Sequence, residues 1–455
     1  MPETVRFAPS PTGELHIGNI RTALYNSFLA MRTGGSFVLR YDDTDVERSR
    51  EAFANQIAAD LDWLGITIDR VERQSARLAA YDEVAQKLRG EGLLYPCYET
   101  PEELDRKRSR QRARGLPPVY DRAGLALSEE DRARLETEGR RPHWRFKLPG
   151  GARAFDDLCR GPQTVNLGAV SDPILVREDG SYLYTLPSVV DDMAFGVTTV
   201  VRGEDHVTNT GVQIALFEAL GAEPPVFAHH NLLTRSDGEP LSKRDNPLSI
   251  RALAAEGYEP MAIASLATLV GTSHPVAPLA DLSALAATVA LSDVSRGPAM
   301  FDPAELTRLN AALVHDLPVS AVAALLPQGL SDPERFWDTI KGNLTFRREA
   351  QSWAERLMAS PSALRELAGE GAWSADDRAF LGGAADVLEA LSWGEDAFSR
   401  WTGAVKSSSG RKGKALFMPL RRALTGSESG PELGPWLQVL GRDAAVERLR
   451  AIASG

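Results

Sequence analysis

The sequence predicts a parallel α/β domain, interrupted by a less regular insertion and followed by all-α helical bundles. Three observations carry this. Short apolar runs alternate with helix-periodic segments over residues 1–95 and again over about 185–247, and strands separated by helices imply a parallel sheet. From Tyr95 to about Tyr184 the pattern loses regularity and gains Pro and Gly. After about Pro247 the strand-like runs stop. The remainder is rich in Ala, Leu, Glu and Arg, with turns such as Gly271-Thr272-Ser273-His274-Pro275, which reads as helical bundles.

Taken in order, Val5 to Ala8 is a short buried strand. It enters a turn containing Pro9, Pro11 and Gly13, followed by His16, Gly18 and a helical run from Ile20 to Arg32. Ser36 to Arg40 is a second strand. Glu51 to Leu64 is an amphipathic helix, with Phe53, Ile57, Leu61 and Leu64 at helical spacing. The alternation resumes with a strand from Val197 to Val201, a helix from Asn209 to Leu220 and a strand from Val226 to Leu233. Strand, tight turn, small residue and helix bring backbone amides and a helix N-terminus up to a phosphate, so the first twenty residues offer a nucleotide site. Gly18 permits close backbone approach and His16 can donate to a phosphate oxygen. Ser407-Ser408-Ser409-Gly410 reads as a short flexible loop.

At 455 residues, about three domains are expected. Apolar content of 43% and charged content of 25% fit a soluble globular protein. No apolar run approaches the ~18 residues of a membrane span, and no signal peptide is visible. Two cysteines, Cys97 and Cys159, exclude a disulfide scaffold and point to the cytoplasm. They read as buried or semi-buried thiols. The net charge of −11 argues against a polyanion partner, but the cations are unevenly placed. Arg106, Lys107, Arg108, Arg110, Arg112 and Arg114 form one cluster. Lys406, Arg411, Lys412, Lys414, Arg421 and Arg422 form another with no acid among them. Such patches suit a partner held by its phosphates at separated points, although charge runs alone read first as two solvated, mobile segments. Trp337, Trp353, Trp373, Trp393, Trp401 and Trp436 crowd the last third and read as anchors for helix packing.

Four ordered signatures then converge. Phe7 through Arg21 resembles the HIGH region of class I aminoacyl-tRNA synthetases, of the glutamyl type found in bacteria. Leu241-Ser242-Lys243-Arg244 resembles the KMSKS loop. Asp191-Asp192 followed by Arg202-Gly203-Glu204-Asp205-His206 is a third, and Pro419 to Gly426 a fourth. Together they span essentially the whole chain. The resemblance implies a Rossmann-like catalytic domain split over 1–95 and 185–247, and an acceptor-end-binding insertion over 96–184. A stem-contact helical domain over 248–315 and an anticodon-binding domain over 316–455 complete it.

It also implies two steps: the glutamate carboxylate attacks the α-phosphate of ATP, and the 3′-terminal ribose of tRNA then takes the acyl group. His16, Lys243 and Arg244 would stabilise charge in catalysis. Pro9, Thr12, Gly13, His16, Gly18, Asn19, Asp205, Ser242 and Lys243 would hold ATP. Arg6, Ala8, Ser10, Asp42, Tyr184 and Arg202 would hold glutamate, with Arg6 and Arg202 on the γ-carboxylate and Asp42, Ser10 and Tyr184 on the α-ammonium. Arg106, Arg108, Arg110, Lys412 and Lys414 would meet tRNA. Pro240 replaces the first Lys of the KMSKS pattern, and Asp42 stands where the family more often has Glu. Ser10 and Thr12, together with the helical C-terminal part, favour the glutamyl over the glutaminyl type.

ATP with Mg²⁺ is the expected substrate complex. Zinc is not expected: Cys97 is followed by Tyr98 and Glu99, Tyr120-Asp121-Arg122 adds no thiol, and zinc needs about four N or S ligands. The expected partners are tRNA(Glu), tRNA(Gln) or both, with no membrane and no DNA, for a monomeric chain. A nucleotidyltransferase that does not use tRNA and a non-catalytic RNA-binding paralogue are the alternatives.

Overall fold

In the computed structural model, which describes residues 1–235, 249–368 and 373–454, the apolar opening run forms strand β1 (Thr4–Phe7). Helix α1 (Ile17–Thr33) follows, three residues earlier than its apolar periodicity suggests, because the His16 side chain caps it by accepting from the Gly18 N–H. Strand β2 (Ser36–Tyr41), helix α2 (Glu51–Trp63), β3 (Arg70–Arg73) and α3 (Leu78–Gly90) complete the first half. The second half supplies α6 (Thr185–Ala194), β9 (Thr199–Gly203), α7 (Val207–Ala219) and β10 (Val226–His230). Between the halves lie β4 (Leu94–Cys97), α4 (Pro101–Ala113), α5 (Glu129–Thr137), β5 (His143–Phe146), β6 (Ala152–Asp157), β7 (Gly161–Asn166) and β8 (Ile174–Val176).

The main sheet has the order β3-β2-β1-β9-β10-β6-β7. Pairing is parallel from β3 through β6, and only β7 runs antiparallel. The chain winds outward from β1 in one direction and from β9 in the other, so a topological switch point lies between these two strands, where ligands of open α/β sheets bind. Val200, Val201, Phe227 and Ala228 are buried, as a sheet covered on both faces requires.

Three expectations need correction. The strand from the Val197 run is set two residues later, at Thr199–Gly203, because its ladder is dictated by β10 on one side and β1 on the other. The hairpin β6–β7, inside the stretch expected as an insertion, hydrogen-bonds to β10 and extends the main sheet. Strand pairing also continues beyond Pro247, since Leu233–Thr234 pairs in parallel with Ala299–Met300. The rest of the insertion is a separate antiparallel sheet, β4-β5-β8.

Two compact units are present, Met1–Pro303 and Ala304–Gly455. In the second, helices Ala375–Ala390, Ala397–Ser409, Lys414–Thr425, Leu433–Leu440 and Arg442–Ala453 share one apolar core. Trp337, Trp401 and Trp436 are buried in it, and each indole N–H donates to a backbone carbonyl, of Leu317, Ala384 and Leu424 respectively. This satisfies the one polar atom of a buried tryptophan. Trp393 is instead exposed. Ser407 to Ser409 end a helix, with Gly410 as its left-handed cap, rather than forming a loop.

Candidate active site

At the carboxyl end of β1 the chain turns through Ala8, Pro9, Ser10, Pro11, Thr12 and Gly13. The turn is fixed by backbone bonds from Thr12 to Ser10 (2.8 Å) and from Arg50 to Pro11 (3.0 Å). His16 Nδ1 accepts from the Gly18 N–H at 3.1 Å, and the Asn19 side chain accepts from the His16 N–H at 3.2 Å. In a neutral ring this leaves the hydrogen on Nε2. A Cβ at position 18 would lie 3.0 Å from His16 Cε1 and 3.1 Å from its Nδ1, so glycine is needed there to keep the ring in place. Asp205 is exposed, in the turn that directly follows β9.

Beside this turn the switch point gathers Arg6 of β1, Arg40 at the end of β2, Asp191 and Asp192 of α6, and Arg202 of β9. Arg6 Nε donates to Asp192 at 3.2 Å. Arg40 donates to Asp42 (2.7 Å) and to Asp192 (2.8 Å). Asp191, fully buried, accepts from Arg77 (2.6 Å), Tyr81 (2.8 Å) and Gln74 (3.3 Å). Burial opposes the Arg40 charge, but Asp42 and Asp192 outweigh it and hold its pKa above the ordinary value. Burial pushes the Asp42 carboxyl up, with Arg40 resisting.

Arg202 differs. It is buried, and its partners are Tyr184 Oη (2.8 Å), Thr210 Oγ1 (2.6 Å), Gln213 Oε1 (2.8 Å) and His229 Nε2 (3.3 Å). Among the described residues no carboxylate stands within ion-pair distance of it. Burial lowers its pKa. A buried cation without a counter-ion is costly, and an anionic ligand would remove that cost.

The structure thus brings together Arg6, Asp42, Tyr184 and Arg202, with Ala8 and Ser10 on the adjoining turn. Pro240, Ser242, Lys243 and Arg244 lie outside the described residues. The sequence reading missed Arg40, Asp157 and His229. For Arg40 and His229 the signal was a charged or titratable residue inside an apolar strand; Asp157 lies in a strand with no apolar run and becomes visible only once strand register is known.

Of the basic residues, Arg106, Arg108 and Arg110 are exposed on α4, a helix with no buried residue; Arg108 also pairs with Asp105 at 2.9 Å. In the second unit Lys412 and Lys414 are exposed, while Arg411 pairs with Asp376 and Asp377. Acids remote in sequence therefore neutralise part of a cluster that looked uncompensated.

In the insertion, Cys97, Glu99 and His143 bring one potential ligand atom each within 4.8 Å of one another. His143 arrives as the cross-strand partner of Cys97. Glu99 is already bound by Lys107 (3.1 Å) and by the Tyr120 hydroxyl (3.0 Å), and burial pushes the Cys97 thiol up to about 11. Among the described residues these are three candidate ligands, one of them already engaged by an ammonium and a phenol, whereas a closed zinc site needs four.

Residues 4–308 match the family described as class I tRNA synthetases (E and Q), catalytic domain, and residues 333–453 match an anticodon binding domain. Similar relatives include Glutamate–tRNA ligase 2 of Methylorubrum populi, 55% identical over 98% of each chain, and Glutamate–tRNA ligase 1 of Chelativorans sp., 52% identical over 98% of this chain and all of that one. A glutamate tRNA ligase of Elizabethkingia meningosepticum, solved in complex with its amino acid, superposes with a TM-score of 0.84 at 25% identity over 100% and 99% of the two chains. The chain belongs to the class I tRNA synthetases, among the glutamate–tRNA ligases.

Proposed function

We propose that this member of the family activates L-glutamate with ATP, giving glutamyl-adenylate and pyrophosphate, and transfers the glutamyl group to the 3′-terminal adenosine of tRNA. The observation that carries the reading is the buried Arg202 guanidinium, held by uncharged partners alone among the described residues. A γ-carboxylate supplies the missing anion, and a γ-amide does not. Arg6 is the second cation on that carboxylate. Asp42, held by Arg40, takes the α-ammonium together with Ser10 and Tyr184.

ATP lies over the turn Pro9 to Asn19, including Thr12, Gly13 and Gly18, with Asp205 also on the nucleotide. The His16 Nε2–H donates to a phosphate oxygen from the helix N-terminus. Lys243 adds a point charge at the α-phosphate, with Ser242 and Arg244 beside it. Mg²⁺ enters with ATP, bound by phosphates and water. Arg106, Arg108 and Arg110 of the insertion and Lys412 and Lys414 of the second unit meet the tRNA backbone. The chain works as a cytoplasmic monomer without zinc, on tRNA(Glu), tRNA(Gln) or both.

ATP–pyrophosphate exchange with glutamate, run with and without bulk tRNA, tests the reading. Exchange that needs glutamate and tRNA is expected. Exchange indifferent to tRNA would favour a tRNA-independent nucleotidyltransferase, and intact tRNA binding without exchange a non-catalytic protein. Lys243→Ala should cut adenylate formation by orders of magnitude with tRNA affinity nearly unchanged. Acylation of the two purified tRNAs assigns the acceptor.

A further inference from the structure

Behind Arg202 stands a pair that the reading above does not use. Parallel register sets His229 of β10 directly beside Arg202 of β9, and sets Phe227 beside Asp157, the last residue of β6. Asp157 and His229 form a buried hydrogen-bonded pair, the His229 Nδ1 facing one carboxylate oxygen. The other Asp157 oxygen accepts three backbone N–H groups, from Cys159 (2.9 Å), Arg160 (2.9 Å) and His229 (3.1 Å). A carboxylate so bonded stays anionic. It therefore claims the Nδ1 hydrogen and leaves a bare lone pair on Nε2. That lone pair accepts from Arg202 Nε at 3.3 Å and from the Thr210 hydroxyl at 2.9 Å.

The donor count of Arg202 shows what this does. A guanidinium has five N–H groups. Among the described residues four are used, by His229, Tyr184, Thr210 and Gln213, which leaves one on Nη1 to meet a ligand. The guanidinium plane is thus fixed on three sides. In the opposite tautomer, or as an imidazolium, His229 would turn a hydrogen toward the Arg202 Nε–H, donor against donor.

We propose that Asp157 and His229 are positioning residues for Arg202, locking the imidazole tautomer that aims the remaining Nη1 hydrogen at the side-chain carboxylate of the amino acid. The proposal rests on the reading that Arg202 receives that carboxylate. Its effect falls on selection of an acidic over an amidated side chain, and neither residue touches substrate.

The full-length enzyme tests this through the KM values for glutamate, ATP and tRNA. His229→Asn keeps a donor for Asp157 but places no acceptor at Nε2. It should raise the glutamate KM at least tenfold and weaken preference for glutamate over glutamine, with kcat within about threefold and the other two KM values unchanged. His229→Gln restores an acceptor near Nε2 and should recover much of the loss. Asp157→Asn should act as His229→Asn does and move the ring hydrogen to Nε2, read by nitrogen-15 NMR of labelled histidine. If all three KM values rise together, or if His229→Asn matches wild type, the pair is merely structural and the proposal fails. Arg202→Lys separates the two levels. If it leaves the glutamate KM unchanged, the reading of Arg202 is what has failed. If it raises that KM while the His229 and Asp157 variants do not, only the positioning pair is lost.

Discussion

Arg40 and Arg202 lie on the same sheet, at its carboxyl end, and both are buried, yet their surroundings are opposite. Arg40 is clamped by Asp42 and Asp192, with Asp191 at 4.0 Å. Among the described residues Arg202 donates to a phenol, a hydroxyl, an amide and an imidazole, and to no carboxylate. Evenly matched charges make Arg40 a fixture that holds Asp42 and, through Asp192, orients Arg6. Unmatched charge makes Arg202 receptive. Lack of a carboxylate alone does not mark a binding cation, since buried Arg21 and Arg448 also have none among the described residues and donate to backbone carbonyls. What sets Arg202 apart is that lack together with its place at the carboxyl end of the sheet.

The harshest test of this contrast is Arg40→Met, which strands the buried Asp42 carboxylate and leaves Asp192 to Arg6 alone. Breaking such a cluster costs about 3–5 kcal/mol. That loss should appear as faster amide hydrogen exchange in β1 and β2, together with lost activity, and undiminished protection would show that the cluster is not structural. Arg202→Met is expected to do the reverse. The glutamate KM should rise about a hundredfold, equivalent to about 2.7 kcal/mol, while exchange in β9 and β10 changes by no more than about 1 kcal/mol. A large loss of protection would mean that Arg202 is as structural as Arg40.

Buried histidines extend the comparison to pH. Burial pushes His143 down to about 4 and His230 down to about 3, so both are neutral in the fold. Their unfolded value is near 6.5. A lowered pKa gives stability that is complete above the unfolded value and is lost as pH falls toward the folded one. Between pH 7 and pH 5 each should cost about 2 kcal/mol, read as a falling urea midpoint, and His230→Gln should flatten part of that slope. The smallest effect is expected where charge is half exposed. Lys107→Met removes the ammonium from Glu99 and should cost under about 1 kcal/mol. Prolonged chelation should leave the melting temperature of the insertion unchanged, and a fall would reveal a bound metal in the Cys97 cluster.

Much of the site was legible in the sequence because its pieces are local. The turn from Phe7 to Gly18 and the segment from Arg202 to His206 each carry residue types and spacings that speak for themselves. The missing parts depend on register. His143 meets Cys97, and His229 meets Arg202, only because two strands pair at one offset and no other. A slip of one residue would turn each side chain to the opposite face. The hairpin β6–β7 was hidden for a related reason: its outer residues alternate between exposed and half-exposed, so it has no apolar run to announce it.

The pairing of β1 with β9 also sets a timetable for synthesis. Arg6 must wait for Asp192, 186 residues later in the chain. At a synthesis rate of about 5–20 residues per second, that interval lasts roughly ten to forty seconds. Throughout it, the growing polypeptide carries a β1 edge with no neighbour on one side and an arginine with no counter-ion. The amino-acid pocket therefore cannot close before Arg202 and its neighbour His229 have been made, well past the midpoint of the first unit.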